Sequence, residues 1–159
     1  DDFVKWEPYT KEEILCKRFS LDEWHMIVAD IHSDEDWADF LKKNPKFIRC
    51  YVLKRYSDNQ SLGFVYVLKE YDDDKKISIH GGGWESPLLY YRGYVLILKT
   101  LLECGYKIRT YCSVDNARTI RLSKGIGYVT YKKTESEVYM WLSLYHLKRS
   151  NVYKYFYSK

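Results

Sequence analysis

The sequence predicts a single domain of the mixed α/β (α+β) class, built on one central sheet with helices on both faces. Its 159 residues are the length of one domain and can bury a substantial core. Hydrophobic residues make up 46% and charged residues 30%, the composition of an ordinary globular protein rather than a disordered one. Helical patterns come first, strand patterns follow, and the second half alternates between the two, which is typical of helices packed on a mixed sheet.

Helices are predicted over residues 10–43. Thr10 and Glu13 form a capping box, in which each side chain satisfies a main-chain N–H at the helix start. Ser20 and Glu23 repeat this signal, and apolar residues then recur at one-faced helical spacing, at Trp24, Ile27, Val28 and Ile31. The chain is therefore expected to open with helices.

An antiparallel meander is predicted next, with strands over residues 47–56, 62–71 and 75–80. The segments between these strands, 57–61 and 72–74, have the composition of turns. Hydrophobic alternation within the strands is imperfect, as expected where helices cover both faces of a sheet.

The second half alternates helices and strands. Ser86 and Pro87 suit the N-cap and first residue of an apolar helix. Asn116 suits the N-cap of a second, shorter helix. The predicted order is a helix at 88–104, a strand at 107–113, a helix from 116 to 127 and two strands, the second at 138–145.

The most unusual local sequence is the glycine run Gly81-Gly82-Gly83, which lies between a predicted strand and the Ser86 helix start. Glycines weaken a strand, so the run indicates a bulge or a close approach by another backbone or a ligand. Unpaired N–H groups and the helix dipole would favour a phosphate at this helix start. A plain flexible loop explains the same pattern equally well, and the segment alone leaves both interpretations open.

The order helix, Gly-aromatic, strand, Asn-initiated helix, Gly-aromatic, strand resembles the C-terminal half of the GCN5-related N-acetyltransferase (GNAT) family. The family motif Asn-x-x-Ala-x-x-Leu-Tyr-x-x-x-Gly-Phe is matched here by Asn116, Thr119, Leu122, Ser123, Gly127 and Tyr128. The resemblance covers about residues 47–145. It implies a sheet splayed between the fourth and fifth strands, here 75–83 and 107–113, with the pantetheine arm of acetyl-coenzyme A (acetyl-CoA) in the gap.

The resemblance assigns the coenzyme contacts to the glycine run and the following helix start. The family carries Arg/Gln-x-x-Gly-x-Gly/Ala there, whereas the matching window, residues 85–90, lacks every motif residue. Arg92, just beyond, is a candidate for a displaced version. Weak coenzyme binding through main-chain donors is therefore expected. The implied coenzyme-binding residues are Gly81, Gly82, Gly83, Leu88, Leu89, Tyr90, Arg92 and Asn116.

Two of these residues have equally good structural explanations. Arg92 shares one helical face with Lys99 and Glu103, which is the pattern of a solvated stripe. Asn116 is fully explained as a helix N-cap.

His80 is the candidate catalytic base, because it is the only histidine on the splayed strand and its ordinary pKa near 6.5 suits proton removal from an amine. Glu85 is the nearest carboxylate. A partly buried structural histidine is the alternative. The family tyrosine that often protonates the departing thiolate is Ser123 here, so that role does not carry over. Cys112 lies near the expected thioester or is simply a small buried hydrophobic residue.

Composition excludes several classes of protein. No apolar run approaches the roughly 20 residues that cross a bilayer, so no membrane partner is expected. The four cysteines form no Cys-x-x-Cys pair and are interpreted as free buried thiols. Free thiols favour a reducing, cytoplasmic location. The four histidines are scattered, so no metal is expected.

The net charge of +4 lies at the C-terminus. Four of the 26 lysines and arginines fall in residues 148–159, where no acid occurs, and the remaining bases equal the 22 acids. The sequence therefore predicts a domain at 1–147 and a basic, aromatic tail at 148–159. We expect the tail to pack its aromatic rings on the domain or on a second subunit and to be dispensable for coenzyme binding. The alternative is that the tail touches nucleic acid.

Together these observations imply an acetyl-CoA-dependent N-acyltransferase that acts on a small-molecule or peptide amine of unknown identity. Because the phosphate motif and the tyrosine are both missing, the alternative is an inactive relative that serves as a binding module. A nucleic-acid-associated protein is the third and least favoured hypothesis.

Overall fold

The computed structural model describes residues 3–9, 47–70, 73–83 and 86–157. The predicted helices at 10–43 and Glu85 lie outside these residues. The described chain forms one sheet with the strand order β1-β2-β3-β4-β5-β7-β6. The strands are β1 Val4–Tyr9, β2 Phe47–Arg55, β3 Ser61–Glu70, β4 Asp73–Gly83, β5 Lys107–Ser113, β6 Val129–Lys133 and β7 Glu137–Leu142. The helices are α1 Pro87–Glu103, α2 Ala117–Ile126, α3 Leu144–Arg149 and α4 Asn151–Tyr157.

The sheet consists of two antiparallel halves joined by one parallel pair. The first half is the meander β1 to β4, and the second is β5-β7-β6. β4 and β5 run parallel, with α1 as their crossover connection. The predicted mixed α/β fold is confirmed.

The prediction that the chain opens with helices is wrong, because β1 precedes residue 10. In the described sheet, β1 is a six-residue edge strand that pairs with β2 and contains Pro8. Proline is tolerated on an edge strand, where its missing N–H need not join a ladder. Trp6 partly buries its ring here, and its indole N–H donates to the Gly93 carbonyl of α1 at 2.6 Å.

The second half follows the predicted order with one difference at its end. Ser86 and Asn116 cap α1 and α2 by accepting hydrogen bonds from Leu89 N at 3.4 Å and Thr119 N at 3.1 Å. β7, however, ends at Leu142 rather than at 145. The Ser143 hydroxyl accepts from His146 N at 3.1 Å and so starts α3.

The core lies between α1 and one face of the sheet. Ile77, Ile79 and Ile108 are fully buried and share one apolar cluster with Val95 and Leu98 of α1. Because side chains alternate along a strand, Ser78, Arg109 and Tyr111 lie on the opposite face. The two faces of β4 and β5 therefore have different chemistry.

The first and last described residues, Phe3 and Tyr157, meet on α1. The Arg92 guanidinium lies 4.5 Å from the ring centre of Phe3 and 5.6 Å from that of Tyr157. The Tyr157 hydroxyl donates to the Arg92 carbonyl at 3.0 Å. Apart from Ser150, which separates the two helices, residues 148–157 belong to α3 and α4, and α3 runs across the domain boundary predicted at 147.

Gly127 shows how closely α3 packs. It ends α2 with a φ of 112°, and a Cβ added there would lie 2.6 Å from the His146 carbonyl oxygen. Leu147 is completely buried in the same core as α1. Helix α3 is thus part of the packed structure.

The buried Tyr128 predicts a loss of stability at alkaline pH. Burial raises the pKa of its hydroxyl well above the ordinary 10.0, and the neighbouring Tyr94 and Tyr90 hydroxyls raise it further. Its oxygen has no hydrogen bond of acceptable geometry within the described residues. Unfolded Tyr128 releases its proton near pH 10 while the native residue keeps it, so the unfolding free energy falls as pH rises above that value.

Tyr128→Phe should remove this dependence. Urea denaturation at about pH 8 and about pH 11 should show a shallower fall in unfolding free energy for the variant than for the wild type. Tyr145→Phe is the matched control, because the Tyr145 side chain is 59% exposed. If the unfolding free energy falls equally between these two pH values in Tyr128→Phe and in the wild type, the account is contradicted.

Candidate functional site

The candidate site is a gap between β4 and β5. The two strands pair only from Lys76–Lys107 to Ser78–Arg109. Beyond that point β4 follows β3 as far as Gly83, and β5 follows β7 as far as Ser113. Since each strand keeps its outer partner, the inner main-chain groups of 79–83 and 110–113 face each other without strand pairing in the described sheet. The predicted splay is therefore present.

Two helices begin at the open end of this gap. α1 starts after β4, with Ser86 as its N-cap, and α2 starts three residues after β5, with Asn116 as its N-cap. Asn116 N also donates to the Ser113 carbonyl at 3.0 Å, which holds the α2 start against the end of β5. Unpaired N–H groups and partial positive charge from both helices thus collect at one rim.

A groove of about 610 Å³ lies beside the α1 start, between α1, α2 and α4. Its described lining is mostly apolar and includes two strongly exposed side chains, Leu88 at 55% and Tyr155 at 61%. The lining residues are Ser86, Pro87, Leu88, Tyr91, Leu122, Ile126, Asn151, Val152, Tyr155 and Phe156. The C-terminal helix α4 is therefore one wall of the groove at the helix start.

No protein-family model matches this sequence, and neither does any curated protein. Solved structures do match. One is the N-acetyltransferase PseH from Campylobacter jejuni in complex with acetyl-CoA, with a TM-score of 0.58 and 15% identity over 88% of this chain and 98% of that one. The chain has the GNAT fold.

Two further matches support the same assignment. A GCN5-related N-acetyltransferase from Brucella melitensis has a TM-score of 0.64 and 10% identity, and covers 99% of this chain and 82% of its own. FdhC, described as a nucleotide-linked sugar GNAT, has a TM-score of 0.66 and 10% identity, with 98% and 95% covered. The resemblance predicted from the sequence is confirmed at the level of the fold.

Within this GNAT fold, His80 and the glycines at 81–83 lie on the splayed part of β4. His80 is two residues past the last position paired with β5, and its register partner on β3 is Tyr66. The predicted base and the predicted glycine run therefore occur on the strand segment that borders the gap.

Gly81 is explained by packing inside the protein. A Cβ there would lie 2.7 Å from the Tyr90 hydroxyl and would also strike the Phe64 carbonyl oxygen. Tyr90 is 7% exposed, and its hydroxyl donates to that carbonyl at 3.1 Å. The absence of a side chain at Gly81 thus lets Tyr90 of α1 pack closely against β3 and β4. This packing explains the glycine without a ligand.

Arg92 and Arg118 lie in different surroundings. Arg92 lies against Phe3 and Tyr157, where its charge contributes to packing. Burial in the groove raises the pKa of the Tyr91 hydroxyl, and the positive charge of Arg118, in the first turn of α2, partly offsets that rise. Sequence analysis missed Arg118, and the only signal was a base two residues after the Asn116 cap.

Ser123 and Cys112 are poorly suited to acid or nucleophile roles. Ser123 is 9% exposed, although it stands where GNAT enzymes often carry a tyrosine. Burial raises the pKa of the Cys112 thiol, which keeps the thiol protonated and unreactive. Its side chain packs against the core cluster.

Two kinds of feature are absent from the described residues. Across the described ranges, no three His, Cys, Asp or Glu side chains come together in a way that could hold a metal ion. In the part of the chain that the structure describes, no helix is long and apolar enough to cross a membrane.

The contact between Gly81 and Tyr90 predicts that Gly81→Ala lowers the unfolding free energy by about 1–3 kcal/mol, because the new methyl group overpacks a filled site. Gly125→Ala is the control: its Cβ would lie 3.7 Å from Val152, an ordinary contact in a helix, so stability should rise by about 0.4–1 kcal/mol. Denaturation with urea measures both. An unchanged unfolding free energy for Gly81→Ala would show that Gly81 and Tyr90 are not tightly packed.

Proposed function

We propose that the protein is an acetyl-CoA-dependent N-acyltransferase that transfers an acetyl group to an amine. The observation that carries the proposal is the gap between β4 and β5, which opens towards two helix N-termini. An extended ligand that contains amides can pair with strand main chain on both sides of such a gap. The PseH structure with acetyl-CoA, which has the same fold, supports this choice of ligand.

The chain offers contacts for each part of acetyl-CoA. The pantetheine arm would pair with main chain at Gly82 and Gly83 and on the facing part of β5. The pyrophosphate would accept from the N–H groups at the α1 start, between Ser86 and Leu89. Arg118 would add positive charge near the phosphates, a role that Arg92 is less free to fill because its guanidinium lies against aromatic rings. Leu88 and Tyr155 would border the adenine.

The reaction needs one proton removed and one returned. The amine nitrogen attacks the thioester carbonyl carbon, the new C–N bond forms, and the C–S bond breaks. His80, on the splayed segment of β4, would accept the amine proton, with Glu85 as the nearest carboxylate in the sequence. The imidazolium formed can then protonate the departing thiolate, because an ordinary thiol pKa of about 8.5 exceeds the histidine value of about 6.5. This route does not use Ser123.

A binding module with the same fold is the second candidate. The missing phosphate motif and the buried Ser123 favour it. Such a module would bind acetyl-CoA or a related ligand without turnover.

The nucleic-acid hypothesis loses support from the position of the tail. Tyr153, Phe156 and Tyr157 are half-buried against the core, and within the described part of the tail only the Tyr155 ring is strongly exposed. A stacking platform needs several accessible rings.

His80→Ala tests the mechanism. Turnover of acetyl-CoA with a panel of primary amines should fall about 100- to 10,000-fold, while the Kd for acetyl-CoA measured by calorimetry stays the same. The acidic limb of the wild-type pH–rate profile should disappear in the variant. Acetyl-CoA binding with no turnover of any amine would favour the binding module, and absence of acetyl-CoA binding would overturn both candidates.

Tyr155→Ala tests whether α4 belongs to the coenzyme site, contrary to the expectation that the tail is dispensable. Loss of a ring stacked on adenine should weaken acetyl-CoA binding by about tenfold. Tyr145→Ala is the matched control, since Tyr145 is 59% exposed, lies on α3 and does not line the groove. If Tyr155→Ala and Tyr145→Ala bind acetyl-CoA with equal affinity, the adenine does not contact α4.

A further inference from the structure

We infer that the protein has a second small-molecule site, which takes an aromatic carboxylate and lies at the end of the sheet away from the open gap. The site is a cavity of about 560 Å³, a volume typical of small-molecule sites. It shares no described lining residue with the coenzyme groove, and a ligand without an amine would bind there without being acetylated.

The cavity lies where β5 begins and β7 ends. On β5 its described lining stops at Arg109, the last position paired with β4. Leu102 near the end of α1 and Leu144 at the start of α3 also line it. Among the described lining residues, none belongs to the unpaired segments 79–83 and 110–113. The cavity is therefore at the closed end of the β4–β5 pair.

Most of the surface in this cavity is apolar or aromatic. Leu102, Tyr106 and Leu144 are half-buried, so each still presents side-chain surface to a ligand. Tyr131 and Trp141 are 47% and 39% exposed. Rings and aliphatic side chains together favour a planar, largely apolar group.

Positive charge without a carboxylate partner lines the same cavity. Its described lining contains two charged residues, Lys107 and Arg109, and no acid. Neither cation forms an ion pair in the part of the chain that the structure describes. The Arg109 guanidinium lies 5.5 Å from the Tyr131 ring centre instead. The two oxygens of a carboxylate match the planar donors of arginine, so an acidic group on the ligand would supply the missing partner.

The aromatic wall is fixed before a ligand binds. The Trp141 ring meets the His146 ring at 87°, with the ring centres 5.6 Å apart. His146 Nδ1 lies 2.7 Å from the Ser143 hydroxyl oxygen, which also caps α3. No described residue accepts a hydrogen bond from the Trp141 indole N–H, so that donor is available to a ligand. A wall held in this way loses little conformational entropy on binding.

Indole-3-propionate, an aromatic carboxylate without an amine, tests the inference. Calorimetry with the purified full chain should show saturable binding of equal affinity with and without saturating acetyl-CoA. Arg109→Ala should weaken this binding by about tenfold or more, because the variant loses a charged hydrogen bond. Trp141→Ala should weaken it by about tenfold through lost ring contact. Absence of binding at millimolar indole-3-propionate would overturn the inference.

Matched variants control for charge and for folding. Lys132→Ala removes a cation that lies 5.2 Å from the Tyr139 ring centre and outside the described lining, so the affinity for indole-3-propionate should stay the same. Arg109→Lys should retain part of the affinity, which shows that Arg109→Ala fails through lost charge rather than misfolding. If Arg118→Ala weakens binding and Arg109→Ala does not, the ligand occupies the coenzyme groove and the inference is overturned.

Three related compounds test the ligand class. Propionate lacks the ring and 3-methylindole lacks the acid, so each should bind at least about tenfold more weakly than indole-3-propionate. Tryptophan adds an ammonium to the same skeleton and should also bind more weakly, because Lys107 and Arg109 repel it. Tighter binding of tryptophan would overturn the assignment in favour of an amine site. Tighter binding of phenyl phosphate than of indole-3-propionate would overturn the choice of a carboxylate.

Discussion

The separation of β4 from β5 after three paired positions is the constraint on which the rest of the site depends. Each strand is held by its outer neighbour, β4 by β3 and β5 by β7, so the gap persists without support from its inner edges. Every main-chain group left unpaired there forgoes a hydrogen bond worth about 0.5–1.5 kcal/mol. An extended ligand with its own amides can recover that free energy, which supports the proposal that the gap is a binding site.

The packing of the chain ends stabilises one side of this site. Phe3, Arg92 and Tyr157 meet on α1, and α4 is thereby fixed along the groove next to the α1 start. The tail that the sequence set apart as peripheral is, in the structure, a wall of the candidate coenzyme groove. A small cavity of about 220 Å³ lies at the last paired position of the gap, where its described lining includes Ser78, Arg109 and Tyr111.

Local signals predicted the second half of the fold well, because its boundaries depend on neighbouring residues. Ser86, Asn116 and Gly127 each determine a helix end through contacts within a few positions. β1 could not be predicted, since a six-residue edge strand with a proline acquires its structure only by pairing with β2, more than 40 residues away. The last strand was predicted three residues too long for a different reason: the alternation of apolar residues continues past Ser143, but the Ser143 hydroxyl caps a helix and so ends the strand at Leu142.

Site residues were harder to predict than elements. A glycine at 81 signals a close approach, yet the sequence does not say whether a ligand or Tyr90 makes it. Arg92 was ambiguous because its partners Phe3 and Tyr157 lie at the two ends of the chain. The face around Arg109 was missed entirely, because its residues come from five strands that join only in the folded sheet.

Hydrogen exchange measured by mass spectrometry, with and without acetyl-CoA, tests the central claim most directly. Main-chain amides that pair with a bound ligand exchange more slowly. The account predicts slower exchange on acetyl-CoA binding in peptides that cover 79–83 and 110–113, together with the α1 start at Ser86 to Leu89. Binding that slows exchange elsewhere and leaves both strand segments unchanged would contradict the assignment of the β4–β5 gap as the coenzyme site.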